Sequence, residues 1–424
     1  MDYLLRALPF LSLAVALGAS CTTRVVRSDD DDDDDSSSQS NTATTGVGGG
    51  GVGGASTGVS TNVGGGGPTD GTVLTDLGTQ SAGNTPATFS FEIPDNAQSF
   101  SLTVTSATPN TGAILLELTA PDGTLLYRLN NNGSTSGPFE PSFSGLTGVP
   151  YAFLYPNSTN LPEVIPGTYD ASFLAIDGNF NVVTSVLTGV LLTKRAPAPP
   201  TAGAFGIDIW VTESSTGLNA SNAPNEPIIQ EAIAAMQSIY ANAGVQVDVA
   251  WRDVVGAPNL AVVDNGAELF DLFNRPDAER NGRLAVYLVD EIDLTQQGAI
   301  LGIAAGVPGA PFFPSAPHAS VLVSLQTVGL GGGTQLGETM AHEMGHYIGL
   351  NHTTESDASD HDPIPDTPEC FQTQQGAAFP ELCTNADAFN FMFWTNFQSP
   401  QSQSDISPGQ SFVVRHNPAI PTTP

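Results

Sequence analysis

Positive charge is scarce in this chain: 11 Lys and Arg stand against 43 Asp and Glu over 424 residues, a formal charge of −32. Nucleic acids and anionic membrane surfaces are read by Lys and Arg, so the composition argues against both as partners. Cysteine is nearly absent, with Cys21, Cys370 and Cys383 the only three. No second pair exists to complete a four-thiolate metal cluster. No apolar run, the N-terminal one included, reaches the roughly 20 residues that span a bilayer. The length exceeds the usual size of one domain, so two folded units with tails are expected.

At the N-terminus Arg6 precedes an apolar run from Ala7 to Leu17 and the small residues Gly18-Ala19-Ser20, which reads as an export signal over residues 1–20. Its end resembles a bacterial lipobox with Cys21 as the lipidated first residue. Gly18 stands where leucine is usual, so cleavage and release is the other reading. Seven aspartates, Asp29 to Asp35, and a Ser, Thr, Gly and Asn tract follow. Such composition buries too little to offset the entropy of ordering, so residues 21–75 are expected to be an extended tether. The protein is expected to be exported, in the cell envelope as an outer-membrane lipoprotein or secreted, with membrane contact only through that lipid.

Residues 76–195 alternate short apolar-polar runs with turn clusters. Phe89 to Ile93, Phe100 to Val104, Ile114 to Leu118 and Tyr169 to Ala175 are separated by turns such as Pro121-Asp122-Gly123. This spacing predicts an all-β sandwich. It weakly resembles the pre-peptidase β-domains of exported bacterial proteases and holds no cluster of catalytic residue types. Lys194, the only lysine, and Arg195 precede a Pro-rich linker over 196–204. Two readings stand there: a processing site within a protease's reach, or a linker that happens to carry two charges.

From residue 205 to 424 the pattern changes. A strand at Phe205 to Val211, a helix carrying Ile229, Ile233, Met236 and Tyr240, a strand from Val245 to Trp251, a helix near Ala267 to Phe273 and a strand from Leu284 to Val289 give a β-α-β-α-β order. Another strand, Ala319 to Leu325, precedes a helix that ends in His342-Glu343-Met344-Gly345-His346-Tyr347-Ile348-Gly349-Leu350-Asn351-His352. Residues four apart on a helix are rotated by only roughly 40°, so His342 and His346 can aim at one metal ion. Glu343 lies beside them, within reach of a water on that ion. Gly349 can take the left-handed conformation that ends the helix and returns His352 as third ligand. Three neutral nitrogens with an open fourth position are the catalytic zinc pattern. Leu336, Met340, Met344 and Ile348 recur every fourth residue on the opposite side, as a core-facing stripe.

This H-E-x-x-H-x-x-G-x-x-H run, with Thr353-Thr354, Asp366-Thr367-Pro368, Cys370, Cys383, Asn390-Phe391-Met392 and Ser407 to Gln410, resembles the pappalysin-type branch of the metzincin zinc proteases over roughly Phe205 to Pro418. The resemblance implies an α/β (α+β) catalytic domain with a twisted mixed sheet, a zinc helix and a methionine turn beneath the metal. Met392 matches that turn, an ordinary core methionine being the alternative. Where the family usually has a tyrosine two residues later this chain has Trp394, which can donate from its indole but cannot ligate. The strand before the zinc helix lies at the sheet edge in the family, so Ala319 to Leu325 is either that edge or an internal strand.

In an exported protein Cys370 and Cys383 read as a disulfide, worth on the order of 3 kcal/mol for a loop of that size, with zinc thiolates as the alternative. The acidic run Asp357 to Asp362, with Asp366, either holds structural calcium, as in some relatives, or is a solvated loop. His318, His361 and His416 are expected at the surface or in loops. The reading that results is an endopeptidase acting on proteins or peptides, with one catalytic Zn²⁺ on His342, His346 and His352 and Glu343 as general base. The competing reading is a surface adhesion or binding lipoprotein with a structural or degenerate metal site.

Overall fold

The computed structural model describes residues 20–23, 61–63 and 71–422, apart from 131, 143–147, 255–259, 276–281, 295–298, 312–319, 375 and 397–401. The export signal before Ser20, the aspartate run and His318 lie outside the described residues. Strand β1 is Ser20–Thr23 and β2 is Thr61–Val63. The sandwich follows, with β3 Gly71–Ala82, β4 Ala87–Ile93, β5 Ala97–Ser106, β6 Thr111–Thr119, β7 Leu125–Leu129, β8 Thr135–Ser136, β9 Tyr151–Tyr155, β10 Gly167–Asp177 and β11 Ser185–Arg195. One antiparallel sheet has the order β4-β10-β6-β7-β8 and the other β2-β3-β11-β5-β9. Alternation along β4 buries Phe89, Phe91 and Ile93 and exposes the residues between them. Phe91, Phe100, Phe139, Phe153, Tyr155 and Tyr169 interlock as edge-on and tilted aromatic pairs at the centre of this core.

The second unit is built on strands β12 Gly203–Val211, β13 Val245–Asp253, β14 Val262–Val263, β15 Arg283–Val289, β16 Glu291–Ile292, β17 Ala299–Ala304 and β18 Ser320–Ser324. Its helices are α1 Pro227–Asn242, α2 Gly266–Asn274, α3 Val328–Ile348 and α4 Pro408–His416. The sheet order is β13-β12-β15-β18-β17-β16-β14. Strands β13, β12, β15 and β18 run parallel, while β17 runs antiparallel to β18. β15 and β18 bury both faces, so they read as near-continuous apolar runs.

Two readings left open by the sequence are decided here. The strand before α3 is internal, because Ala299–Ala304 returns on its outer side and pairs Gly302 with Val323, Ile303 with Leu322 and Ala304 with Val321. The side of β17 away from β18 pairs antiparallel with β1, Cys21 opposite Gly302. The dibasic pair is no accessible linker. Lys194 lies in β11, hydrogen-bonded on both sides to β3 and β5, and is 1% exposed. A protease needs an extended segment free to enter its cleft, and a central strand supplies none.

Lys194 is buried because the two units are docked. Its Nζ donates to the Arg415 and Ile420 carbonyls, Ser99 Oγ donates to the His416 carbonyl, and Thr72 Oγ1 donates to the Pro418 carbonyl at 2.6 Å. The outer face of the β11-β5-β9 sheet thus seats the end of α4 and the chain beyond it. His416, expected at the surface, is accordingly 4% exposed.

Candidate metal centre

Helix α3 breaks at Gly331 and Gly332, whose backbone angles are not helical, and runs on to Ile348. It is buried on every side from Gln335 onward, so the histidine face is enclosed as fully as the stripe of Leu336, Met340, Met344 and Ile348. Gly349 has φ 117°, and its N–H and that of Leu350 both return to the Gly345 carbonyl. This left-handed cap reverses the chain within three residues and brings His352 back over the helix.

The three imidazoles converge. Nε2 of His346 lies 3.0 Å from Nε2 of His342 and 3.0 Å from Nε2 of His352. His342 Nδ1 donates to the Phe391 carbonyl at 2.7 Å and His346 Nδ1 donates to the Leu350 carbonyl at 2.8 Å. His352 Nδ1 faces Glu355 Oε2 at 3.0 Å. A carbonyl oxygen can only accept, so the first two rings carry their hydrogen on Nδ1 and present lone pairs at Nε2. Burial, then the charge of His352, pushes the His342 pKa down to about 3, against a smaller upward pull from the Phe391 carbonyl. His346 is driven well below its ordinary value by burial and by both neighbouring rings. Neutral, outwardly braced imidazoles with convergent lone pairs are what a divalent cation requires. The buried group His342, His346 and His352 can hold a metal ion such as zinc.

Glu343 is wholly buried and lies against β17, where a Cβ placed on Gly302 would sit 2.4 Å from its Cγ. Beneath the helix, Met392 packs its sulfur on Gly345, which has room for no side chain: a Cβ there would lie 2.5 Å from Sδ. The Met392 carbonyl accepts from the Thr353 N–H at 3.0 Å, tying the segment to the residue after His352. Asn390 shapes this turn. Its Oδ1 accepts from the Met392 N–H at 2.9 Å, and its amide pairs reciprocally with that of Gln410 at 2.8 and 3.0 Å. Gln410 also closes a capping box with Ser407 at the start of α4.

Trp394 does not face the metal as a donor, because its indole N–H is committed to the Ala378 carbonyl at 2.6 Å. It packs with Phe393 around a small separate core containing Cys370 and Cys383, which are disulfide-bonded with Cα atoms 5.5 Å apart. Those sulfurs and Asp387 also lie close enough to suggest a metal group. The S–S bond removes that option, since bridged sulfurs are not thiolate ligands.

The acidic run divides into separate tasks. Asp357 caps its own turn through Ser359, and Asp366 accepts from Ser407 Oγ and the Gly409 N–H, holding the start of α4. Asp362 and Asp387 are 7% and 2% exposed, and each keeps one buried carboxylate oxygen with no hydrogen-bond donor. Burial, opposed by Thr367 and Ile364 and reinforced by the charges of Asp366 and Asp387, lifts Asp362 to about 7. Asp387 is raised mainly by burial. Neither Asp387 nor Glu355 stands out in the sequence. The signal for Glu355 is an acid three residues after the third histidine, and for Asp387 there is none.

No family model matches the chain, and no curated protein does. Among solved structures it is similar to metalloproteinase-II from Bacteroides fragilis, with 13% identity and a TM-score of 0.25 over 41% of this chain and 58% of that one. A family two carbohydrate esterase from Cellvibrio japonicus shows 12% identity and a TM-score of 0.16 over 42% and 50% of the two chains. The chain thus spans little more than half the length of these proteins, and likenesses so slight decide neither fold nor activity. What stands is the geometry: a β-sandwich, a mixed sheet and a long helix bearing three convergent histidines.

Proposed function

We propose that the protein is a zinc-dependent endopeptidase of the metzincin kind, related to the pappalysins and acting on proteins or peptides outside the cytoplasm. The observation that carries this is the convergence of three Nε2 lone pairs beside a buried carboxylate, Glu343, under a sheet rim. A divalent ion held by His342, His346 and His352 supplies Lewis acidity and acidifies water. Glu343 accepts the proton of the attacking water and hands it to the leaving amine. Met392 serves as the apolar floor of the histidine cluster. The rim is β17, whose side away from β18 takes an extended antiparallel segment, as its pairing with Ser20–Thr23 illustrates.

The test is hydrolysis of an unstructured protein by the full chain and by Glu343→Gln, with zinc content measured in both. Loss of about 10²- to 10⁴-fold in rate with zinc retained is the expected result for removal of a general base. Activity surviving in the variant would reject the assignment. One observation favours the competing reading of an adhesion protein with a non-catalytic metal site: the Trp394 N–H is spent on Ala378 and cannot brace an oxyanion. Zinc-loaded protein inert towards a broad peptide library would decide for that reading.

A structural calcium ion is proposed at the acidic run, on Asp362 with Asp387 as a neighbouring charge, supported by the buried oxygen that each leaves without a donor. Two such carboxylates are costly to bury unless a cation meets them. Calcium added to chelator-stripped protein is expected to raise the melting temperature, and Asp387→Asn to cancel the rise. Export and a lipid on Cys21 rest on the sequence alone. Metabolic labelling with a clickable fatty acid, lost in Cys21→Ser, tests them.

A further inference from the structure

We infer that the β-sandwich is a working part of the metal centre: Leu154 and Ser142 fix the turn that delivers His352 and orients His346. The inference rests on the reading of three imidazoles as a metal site. It starts from the alternation of β9. Tyr151, Phe153 and Tyr155 belong to the sandwich's own core, while Leu154 points the other way and belongs to the core of the second unit, with Tyr347, Ile348 and Leu350. One strand is thus buried on both faces.

Leu154 bears on the residue at which the zinc helix ends. A Cβ on Gly349 would lie 3.3 Å from Leu154 Cδ2, so the leucine fills the space beside the cap. Two residues on, Ser142 Oγ donates to Asn351 Oδ1 at 2.9 Å, next to His352. Beyond the turn, Ser158 Oγ donates to the Pro363 carbonyl at 2.8 Å. On its inner side the turn is held by the Thr353 N–H bond to Met392 and by the Gly349 and Leu350 N–H bonds to Gly345. The sandwich, with Pro308, closes the outer side.

The turn has a double duty. It carries His352, and its Leu350 carbonyl accepts the Nδ1 hydrogen of His346, which sets that ring's tautomer and angle. Displacing it therefore disturbs two ligands of three. A glycine at positive φ is conformationally soft, so the packing around Gly349 decides how well the turn is placed. Leu154 and Ser142 touch no reacting atom; they are positioning residues acting through the turn.

The test uses the full chain and two readouts: metal affinity by competition with a chromogenic chelator, and the visible spectrum of the cobalt-substituted protein. Leu154→Ala is expected to weaken zinc binding about 10- to 100-fold, the range found when the groups that orient metal ligands are removed, and to alter the cobalt spectrum. Leu154→Met, close in volume, should stay within about threefold of the parent. Leu115→Ala, a cavity of the same chemistry in the sandwich core, should leave affinity and spectrum unchanged. Equal behaviour of Leu154→Ala and Leu115→Ala, whether both intact or both weakened, would overturn the inference. Should Leu154→Ala not fold, the doubly substituted Ser142→Ala, Ser158→Ala chain decides by the same readouts, and an unchanged affinity and spectrum rejects the proposal. His352→Ala separates the two layers of argument. If the parent binds no metal, or binds it equally without His352, the three-imidazole reading itself has failed; a parent that needs His352 but ignores Leu154 and Ser142 sinks only the positioning role.

Discussion

Glu343 and Gly302 share one space, and neither explains itself alone. A carboxylate with no exposed surface needs a neighbour that yields room, and Gly302 does so by having no side chain. A Gly302→Ala substitution is therefore predicted to push the carboxylate aside, since its methyl group would stand 2.4 Å from Glu343 Cγ. A misplacement on the order of 1 Å costs about 10²-fold in rate, so kcat should fall by that much. Zinc content should be unchanged because all three ligands lie elsewhere. Steady-state kinetics beside metal analysis checks it; an unimpaired variant would mean that Glu343 is not the base. At this scale the sequence showed the ligand types, because helix geometry alone fixes what four-residue spacing brings together. It could not show the Phe391 and Leu350 carbonyls that brace His342 and His346. Those acceptors are backbone atoms, which carry no letter in a sequence.

Helix α3 can sit so near α1 because glycines line the contact. A Cβ on Gly337 would lie 2.2 Å from the Ala232 carbonyl oxygen and 2.8 Å from Ala235 Cβ; one on Gly333 would lie 2.3 Å from the Ile228 carbonyl oxygen. Two effects compete at Gly337. Alanine in a helix interior is favoured over glycine by about 1 kcal/mol, while forcing a methyl group into a packed site costs about 1–3 kcal/mol. The obstacle here is backbone on a rigid helix, so the clash should win. Gly337→Ala is predicted to lower stability by about 1–2 kcal/mol, read as a reduced midpoint in urea without loss of the Nε2 cluster's metal stoichiometry. Elements with clear periodicity were legible: α1 contains Ile229, Ile233, Met236 and Tyr240, and β15 begins one residue before the expected Leu284 and ends at Val289. β17 was not, because Ala-Ile-Leu-Gly-Ile-Ala lacks alternation and lies among glycines and prolines. Without that strand in view, β18 could be read either as the sheet edge or as an internal strand.

At the scale of the whole molecule, the sequence suggests two units on a Pro-rich linker, and the docked face was hidden by the same alternation that betrays a sandwich. Outward positions such as Thr72, Ser99, Leu154 and Lys194 read as solvent-facing until a second surface covers them. Lys194 shows what that covering does. A neutral amine has two N–H groups, and Lys194 meets two carbonyls, those of Arg415 and Ile420. Burial, and then the charge of Arg415, brings its pKa down to about 7. The unfolded chain keeps an ordinary lysine value of about 10.4. Between those two values the unfolded state holds a proton that the folded state has released, so stability rises with pH across that window. Below about 7 both states are protonated and the cost of the buried charge is felt in full. The prediction is that denaturant unfolding at pH 9.5 yields a stability greater than at pH 7 by a few kcal/mol at most, on the order of one to two pKa units' worth of linkage. Lys194→Met should flatten that rise even though it lowers stability overall, and because the chain has no other lysine the difference in slope is cleanly assigned. An unchanged slope in the variant would mean that Lys194 stays charged in the interface, with its third hydrogen bonded elsewhere, and that docking of the sandwich is indifferent to pH.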